Sequence, residues 1–249
     1  MSDLPPHESP AGQQARERRA VRSFVLRGGR LTDGQKRALD ELWPRWGVEP
    51  GSGMLDFSTV FGNDRPVILE IGFGNGDATW RMAEAEPQHN FLAVEVHRPG
   101  VGRLLLALAE RGIGNVRVAC ADAVTVLRER VPPGSLDGVR IYFPDPWPKK
   151  RHHKRRIVQP EFVALLASRM KGGAILHLAT DWAPYALHML EVVRAADEFD
   201  NVSPISVSCP RPAWRPSTKY ERRGERLGHA VTDLIFRRRS PGRASRQPE

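Results

Sequence analysis

Residues 66–77 read PVILEIGFGNGD, and this stretch predicts the fold of the chain. Its first half is a short apolar run with β-branched residues, which is typical of a buried strand. Three glycines follow at alternate positions, Gly72, Gly74 and Gly76, and a helical pattern begins after them. Glycines at a strand-to-helix turn allow the backbone to turn sharply and to approach a ligand closely. The stretch therefore predicts a buried strand that ends in a ligand-binding turn.

The same alternation of strand and helix continues along the chain. Further strands are predicted at residues 90–96, 116–121, 137–143, 174–180 and 229–237, and helices at 78–86, 99–111, 123–131, 161–171 and 185–196. This alternation predicts an α/β fold of the Rossmann-like kind: a mostly parallel, doubly wound sheet with helices on both faces. We expect the last strand to be an antiparallel edge strand. Residues 21–237 are predicted to form a single domain. The polar segments 1–20 and 238–249 are predicted to be disordered tails.

Composition narrows the class of protein. The formal net charge is +9, which favours a polyanionic partner. The two cysteines, Cys120 and Cys209, form no CxxC pair, so we expect reduced thiols rather than a disulfide or a zinc site. No apolar run is long enough to span a membrane, and the first residues lack the apolar core of a signal peptide. We expect a cytoplasmic protein that does not bind membranes and is a monomer or a weak homo-oligomer.

Acidic residues end four of the predicted strands: Glu70, Glu95, Asp122 and Asp145. Because the carboxyl ends of parallel strands meet at one edge of a sheet, ligands bind there. Glu95 is placed to accept hydrogen bonds from ribose hydroxyls, and Asp122 from the amine of adenine. These acids also have simpler interpretations, since Asp122 could cap the following helix and Glu95 or Asp145 could be a solvated loop acid. Four acids at one edge nevertheless favour a shared ligand site.

The glycine turn favours S-adenosylmethionine over a dinucleotide. The residue three positions after Gly74 is Asp77, where the dinucleotide fingerprint has a glycine. A carboxylate at the start of that helix repels a pyrophosphate but tolerates a cationic ligand. S-adenosylmethionine carries a sulfonium and an ammonium and no phosphate, so it fits this acidic turn better than NAD.

Residues 143–156 read FPDPWPKKRHHKRR and combine an acid, an indole and a basic run. If the methyl acceptor is N7 of guanine, it has a free lone pair and needs positioning rather than a strong base. Asp145 could orient the guanine and stabilise its developing positive charge. Trp147 could stack on a base or serve as a packing anchor, and both alternatives stay open. The run of residues 149–156 predicts contacts to a phosphate backbone, and two adjacent histidines among like charges argue against a metal site.

Two later segments extend the predicted site. Asp181 follows the fifth predicted strand and places another acid at the same edge. Residues 215–223, RPSTKYERR, are basic and contain an aromatic side chain. They could cover the strand ends as a substrate lid, or they could be an ordinary exposed loop.

Taken together, five motifs closely resemble the bacterial tRNA (guanine-N7-)-methyltransferase family. They are LEIGFGNG (69–76), AVEVHRPGVG (93–102), FPDPWPKKRHHKRR (143–156), HLATDW (177–182) and RPSTKYERRGERLGH (215–229). The resemblance runs from about residue 22 to about residue 237. It implies a class I methyltransferase that uses S-adenosylmethionine, without a metal, to form N7-methylguanosine in the variable loop of tRNA.

The resemblance also implies roles for individual residues. Glu70, the three glycines, Glu95, Asp122 and Asp145 match cofactor-binding positions, and Asp145 also matches the catalytic residue. Substrate-binding positions are matched by Lys149, Asp181, Thr218, Lys219, Tyr220 and Glu221. The RNA-interacting stretch is matched by Arg151, His152, His153, Lys154, Arg155 and Arg156.

Three rival functions fit these motifs less well. An amino-methyltransferase acting on an exocyclic nitrogen of RNA or DNA has two prolines after its acid or Asn, whereas Asp145 is followed by one. A non-catalytic RNA-binding protein would not need the intact set of acids. An NAD-dependent oxidoreductase is disfavoured by Asp77.

Overall fold

A computed structural model describes residues 23–24, 29–51, 53–202, 209–217, 221 and 230–240. Its centre is a seven-stranded sheet in the order β3-β2-β1-β4-β5-β7-β6. The strands are β1 (Val67–Ile71), β2 (Asn90–Val94), β3 (Val116–Ala119), β4 (Leu136–Tyr142), β5 (Met170–Thr180), β6 (Phe199–Asn201) and β7 (Thr232–Arg238). The pairings among β1 to β5 are parallel, and β7 is antiparallel to both β5 and β6. The predicted antiparallel strand is confirmed, and the three-residue β6, which was not predicted, lies outside it.

Helices follow the strands as the alternating pattern predicts. They are α1 (Asp33–Glu41), α2 (Trp43–Trp46), α3 (Phe57–Phe61), α4 (Asp77–Ala85), α5 (Arg98–Arg111), α6 (Ala123–Glu129), α7 (Pro160–Arg169) and α8 (Ala183–Arg194). The three helices before β1 were not predicted. The first is capped by Thr32, which forms a reciprocal capping box with Gln35. A 3₁₀ helix, Lys150–Arg155, lies within the basic run.

The sheet separates two apolar cores because successive side chains of a strand point to opposite faces. Leu69 and Val139 belong to the core on one face, together with residues of α6, α7 and α8. Ile68 and Phe91 belong to the core on the other face, with residues of α1, α4 and α5. We call these the first and the second core. Both faces are therefore covered, as a doubly wound sheet requires.

Two boundaries differ from the sequence prediction. β5 begins at Met170, inside the predicted helix, because Met170 pairs with Leu136 of β4 and sheet pairing overrides the helical pattern. β7 extends through Arg238, and Arg239 donates hydrogen bonds to Asp200 and to the Glu198 carbonyl, so the fold includes the predicted start of the C-terminal tail. Residues 1–20 and 241–249 lie outside the described residues.

Two further expectations can be compared with the structure. Cys120 and Cys209 are both free thiols, as predicted, and the structure shows both of them half-buried. Within the described ranges, the structure contains no helix that is long and apolar enough to cross a membrane.

Candidate active site

A cleft of about 690 Å³ opens at the carboxyl ends of the parallel strands, where β1 and β4 lie side by side and the chain reverses its direction of winding. The structure brings to this one cleft the five acids that the sequence singled out. They are Glu70, Glu95, Asp122, Asp145 and Asp181. They enter the cleft from the ends of five different strands. The fold therefore brings together acidic residues that are spread over more than a hundred positions of the sequence.

The glycine turn after β1 forms one wall of the cleft. Gly72, Gly74 and Gly76 have φ angles of 77°, 61° and 79°, in the left-handed region that favours glycine. The N-terminus of α5 packs directly on this turn. A Cβ atom at Gly100 would lie 1.9 Å from the Gly74 carbonyl oxygen, so only glycine allows this close approach. The turn is thus shaped by backbone geometry from two separate segments.

Glu95 holds the glycine turn to the end of β2. Its Oε2 atom accepts a hydrogen bond from the Gly74 amide at 2.9 Å. Its Oε1 atom accepts bonds from the amides of Val96 and His97, at 2.7 and 3.0 Å. Hydrogen bonds from three backbone amides fix the carboxylate, so Glu95 presents a pre-organised acceptor to the cleft.

Glu70 is the most unusual acid of the site. Its side chain is 2% exposed, and its Oε2 atom has no hydrogen-bond partner among the described residues. Burial raises the pKa of this carboxyl to about 7, against the opposing effects of Thr79 and Arg140, and Glu95 adds to the rise. A buried carboxyl with one oxygen free of hydrogen bonds, beside a cleft, fits a ligand that brings positive charge.

Asp122 caps α6. Its Oδ1 atom accepts hydrogen bonds from the amide and the hydroxyl of Thr125, at 3.0 and 3.3 Å. Among the described residues, Oδ2 accepts no hydrogen bond and so stays open to a ligand. The helix-cap interpretation from sequence is confirmed, and it is compatible with a second role in the cleft.

The loop that carries Asp145 is strained. Phe143 and Trp147 have φ angles of 51° and 44°, which residues other than glycine rarely adopt. Between them, Asp145 is exposed and faces the cleft. Strain of this kind persists only where surrounding contacts hold the loop, and those contacts come from the basic run.

Arg156 makes the main contacts that hold this loop in place. It is 3% exposed, its Nε donates to the Pro146 carbonyl at 2.9 Å, and its guanidinium lies 4.8 Å from the Tyr185 ring centre. A second guanidinium nitrogen lies 3.1 Å from Nε2 of His153. The burial of Arg156 and its bonds within the protein argue against the direct contact to the phosphate backbone that the sequence predicts.

Trp147 is a packing anchor in this structure. Its indole N–H donates to the Ser23 carbonyl at 3.1 Å, and the Arg155 guanidinium lies 3.8 Å from the ring centre. His152 contacts the ring edge-on at 5.9 Å. Arg155 also donates to the Phe24 carbonyl, so it is largely committed to the protein. The exposed cations of the run are Lys149, Lys150, Arg151 and Lys154, which we call the basic surface.

A buried charge network supports the other side of the cleft, and sequence reasoning missed it. Arg215 is buried and donates to both oxygens of Asp233, at 2.6 and 2.8 Å. It also donates to both oxygens of Glu221, at 2.8 Å each. Glu221 is 3% exposed and paired with Arg215, which argues against the direct substrate contact that the resemblance implies. Thr218, Lys219 and Tyr220 lie outside the described residues, and their predicted role stays a prediction.

His177 extends this network towards the cleft. The Tyr142 hydroxyl and the Trp214 indole N–H lie 2.9 and 3.1 Å from its Nδ1, and Asp233 lies 2.7 Å from its Nε2. An indole N–H can only donate, so Nδ1 accepts and Nε2 carries the proton. Burial lowers the pKa of His177, although Asp233 opposes the shift. A signal was present, since His177 and Asp233 are polar residues inside apolar strand patterns and therefore require buried partners.

The strand order, the glycine turn and the acids at the strand ends together define a class I methyltransferase of Rossmann-like fold. A family model described as a putative methyltransferase matches residues 64–234. The 16S rRNA methyltransferase KamB is similar in fold, with a TM-score of 0.52 and 17% identity over 79% of this chain and 99% of that one.

Relatives of much higher identity narrow the class to a family. The chain is 56% identical over 222 residues to the tRNA (guanine-N(7)-)-methyltransferase of Alcanivorax borkumensis, covering 89% of this chain and 93% of that one. It is 53% identical over 244 residues to the Pseudomonas aeruginosa protein of the same name, covering 96% and 99%. The chain belongs to the tRNA (guanine-N(7)-)-methyltransferase family, as its motifs predict.

Proposed function

We propose that the protein transfers a methyl group from S-adenosylmethionine to N7 of a guanine in the variable loop of tRNA. One observation carries the proposal: Asp145 sits on a strained loop between a cleft lined by acids and a surface of exposed cations. The first feature suits a cationic methyl donor, and the second suits the backbone of a nucleic acid. Relatives that carry this activity in their names cover nearly the whole chain.

The cofactor fits the described residues chemically. S-adenosylmethionine supplies, when bound, a methyl group activated by the positive sulfonium. Glu70, with an unpaired and buried oxygen, would face the charged amino-acid part of the cofactor. Glu95 would accept bonds from the ribose, and the open oxygen of Asp122 would accept from the adenine amine.

Asp145 would act on the acceptor rather than as a strong base. N7 of guanine has a free lone pair and loses no proton when it is methylated, so orientation is the main requirement. A carboxylate can accept hydrogen bonds from the N1–H and N2–H groups of guanine, and it stabilises the positive charge that develops on the ring. Arg156 would contribute indirectly by holding Pro146, next to Asp145.

The tRNA backbone would lie on the basic surface. Its four cations, Lys149, Lys150, Arg151 and Lys154, are exposed on the 3₁₀ helix and the residue before it. Each phosphate that they neutralise releases counterions, which makes tRNA affinity fall with salt. Asp181 lines the cleft on the β5 side and would contact the substrate base. His152 and His153 lie between the basic surface and the loop and are half-buried.

Methyl transfer from a labelled donor to an unmodified tRNA transcript tests the proposal, followed by analysis of the nucleosides. We expect N7-methylguanosine at one position of the variable loop. Asp145→Ala should lower kcat at least about 100-fold, the scale of losing one key electrostatic contact in a transition state, while tRNA affinity stays within threefold.

Asp64→Asn is the matched control, because Asp64 is an exposed acid just before β1, at the edge of the sheet away from the cleft. It should methylate at the wild-type rate. Methylation at an exocyclic nitrogen instead of N7 would replace the proposed reaction with that of an amino-methyltransferase. Near wild-type turnover in Asp145→Ala would remove Asp145 from the mechanism.

A further inference from the structure

Trp214 exposes a large aromatic surface next to the buried charge network. Its side chain is 40% exposed, although tryptophan is normally well buried in a folded protein. The last of the five family motifs begins one residue later, at Arg215, and the proposed reaction gives Trp214 no role. A large exposed aromatic side chain therefore needs an explanation.

The ring is held in one orientation despite its exposure. Its indole N–H donates to Nδ1 of His177 at 3.1 Å, and the two rings meet edge-on with centres 5.9 Å apart. His177 is fixed in turn by Asp233, and Asp233 by Arg215, the residue that follows Trp214. Three links of buried polar contacts thus keep the indole rigid while part of it faces solvent. A rigid aromatic surface loses little conformational entropy when a ligand stacks on it.

The position of Trp214 relates it to the acceptor side of the cleft. The guanidinium of the adjacent Arg215 lies 5.7 Å from the ring centre of Phe143, which starts the Asp145 loop. His177 touches Tyr142, and both Tyr142 and Phe143 line the cleft. Tyr142 belongs to the second core, whereas Arg156, which ends the basic run, packs on Tyr185 of the first core. Trp214 and Arg156, which ends the run that carries the basic surface, therefore flank the Asp145 loop from opposite faces of the sheet.

We propose that Trp214 is a stacking platform for an unpaired tRNA base close to the methylated guanine. An RNA strand that rests on the basic surface and delivers a guanine to Asp145 can continue towards the opposite face, where Trp214 lies. Exposed aromatic rings bind single-stranded bases without reading their sequence. Arg211, which is 45% exposed and within 3.6 Å of Glu221, adds positive charge on the same segment and favours a nucleic acid over a neutral partner. This inference rests on the proposed function.

The test measures tRNA affinity of Trp214→Ala and Trp214→Phe at fixed salt, with cofactor affinity and thermal unfolding of the same proteins. We expect Trp214→Ala to weaken tRNA binding roughly 5- to 150-fold, the range seen when one stacking side chain is removed. Trp214→Phe should retain most of the affinity, and cofactor affinity should not change in either. Leu106→Ala is the control, because Leu106 on α5 is exposed to the same extent, 42%, and should bind tRNA as the wild type does.

Fluorescence supplies a second readout that does not depend on Trp214→Ala folding. If a base stacks on the indole, tRNA quenches tryptophan emission more strongly in the wild type than in Trp214→Phe. Equal quenching, or tRNA affinity of Trp214→Ala within twofold of the wild type, overturns the inference. So does unchanged tRNA affinity combined with a changed sedimentation coefficient, which would assign the ring to a protein contact.

The two proposals fail in different ways. A wild-type protein that binds tRNA but forms no N7-methylguanosine contradicts the proposed reaction and leaves the stacking test valid. A wild-type protein that methylates N7, with Trp214→Ala equal to it in affinity and quenching, contradicts only the stacking role.

Discussion

The two halves of the cleft are built by different physical means. The donor half, at the ends of β1, β2 and β3, is held mainly by backbone groups: Glu95 takes three amide hydrogen bonds, and Gly100 packs against the carbonyl of Gly74. The acceptor half, around the Asp145 loop, is held by two buried guanidinium groups, those of Arg156 and Arg215. The comparison predicts that the acceptor half is far more sensitive to the loss of a single charge.

The difference follows from what each half must do. The donor half presents backbone atoms and fixed acids at the ends of three successive strands, Glu70, Glu95 and Asp122. The acceptor half contains the strained Asp145 loop and a segment from near the C-terminus. The local sequence of these two segments does not favour the conformations that they adopt. Buried ion pairs can hold such segments, but removing one partner leaves the other charge buried and unpaired.

Arg215→Met is expected to have the largest effect. It leaves Asp233 and Glu221 as buried carboxylates without their guanidinium, which should lower the free energy of unfolding by about 3–5 kcal/mol. Urea denaturation measures this change. Arg211→Met is the control, because Arg211 is exposed and its pairing with Glu221 is looser, so it should cost less than about 1 kcal/mol. Equal losses in the two variants would contradict the importance assigned to the buried network.

Gly100→Ala tests the donor half. The added Cβ would meet the Gly74 carbonyl, so the glycine turn or the start of α5 must shift. We expect a loss of about 1–3 kcal/mol in stability and at least a tenfold loss of cofactor affinity, measured by calorimetry. Gly114→Ala, at a glycine with open space around its Cβ position, should change neither. Intact cofactor affinity in Gly100→Ala would show that the turn tolerates displacement.

Arg151→Gln and Arg156→Gln divide the basic run by function. Arg151 is exposed, so its loss should reduce the slope of log tRNA affinity against log salt by about one. Arg156 is buried against Pro146, so its loss should leave this slope unchanged and lower kcat through a misplaced Asp145. A reduced salt slope in Arg156→Gln would restore the original sequence assignment.

The donor half was predictable because its signals are local. The strand, the three glycines and the acids at successive strand ends are visible in short windows of sequence, and parallel topology brings them together. Both interpretations of Asp122, as a helix cap and as a ligand-binding acid, were also visible in the sequence. A residue at that position can cap a helix and face the cleft at the same time.

The acceptor half was not predictable to the same degree. In the run KKRHHKRR, some cations are exposed and others are buried. Nothing in the order of these residues shows that Arg156 turns inward and packs on Tyr185, a residue far along the chain. Glu221 resembled a substrate contact until Arg215 and Asp233 supplied its surroundings. Long-range pairing decides such roles, and a single sequence does not reveal it.

The smallest expected effect is a difference in the pH dependence of stability between the two halves. The pKa of Glu70 is raised by burial to about 7, so between about pH 4.5 and 7 the folded state holds more protons than the unfolded state at this residue. Its contribution to the free energy of unfolding therefore falls as pH rises. The pKa of His177 is lowered by burial from 6.5, so below that pH the unfolded state holds more protons. Its contribution falls as pH falls.

Because the two contributions oppose each other, removing one should uncover the other. From pH 5 to 7, the free energy of unfolding of Glu70→Gln should rise more steeply with pH than that of the wild type. That of His177→Gln should rise less steeply, each slope changing by at most about 1.4 kcal/mol per pH unit. Urea midpoints at several pH values give the slopes, which do not depend on the overall stability of each variant. Parallel curves for all three proteins would mean that neither Glu70 nor His177 keeps its shifted pKa in the folded protein. The stability of the two halves would then not depend on pH in opposite ways.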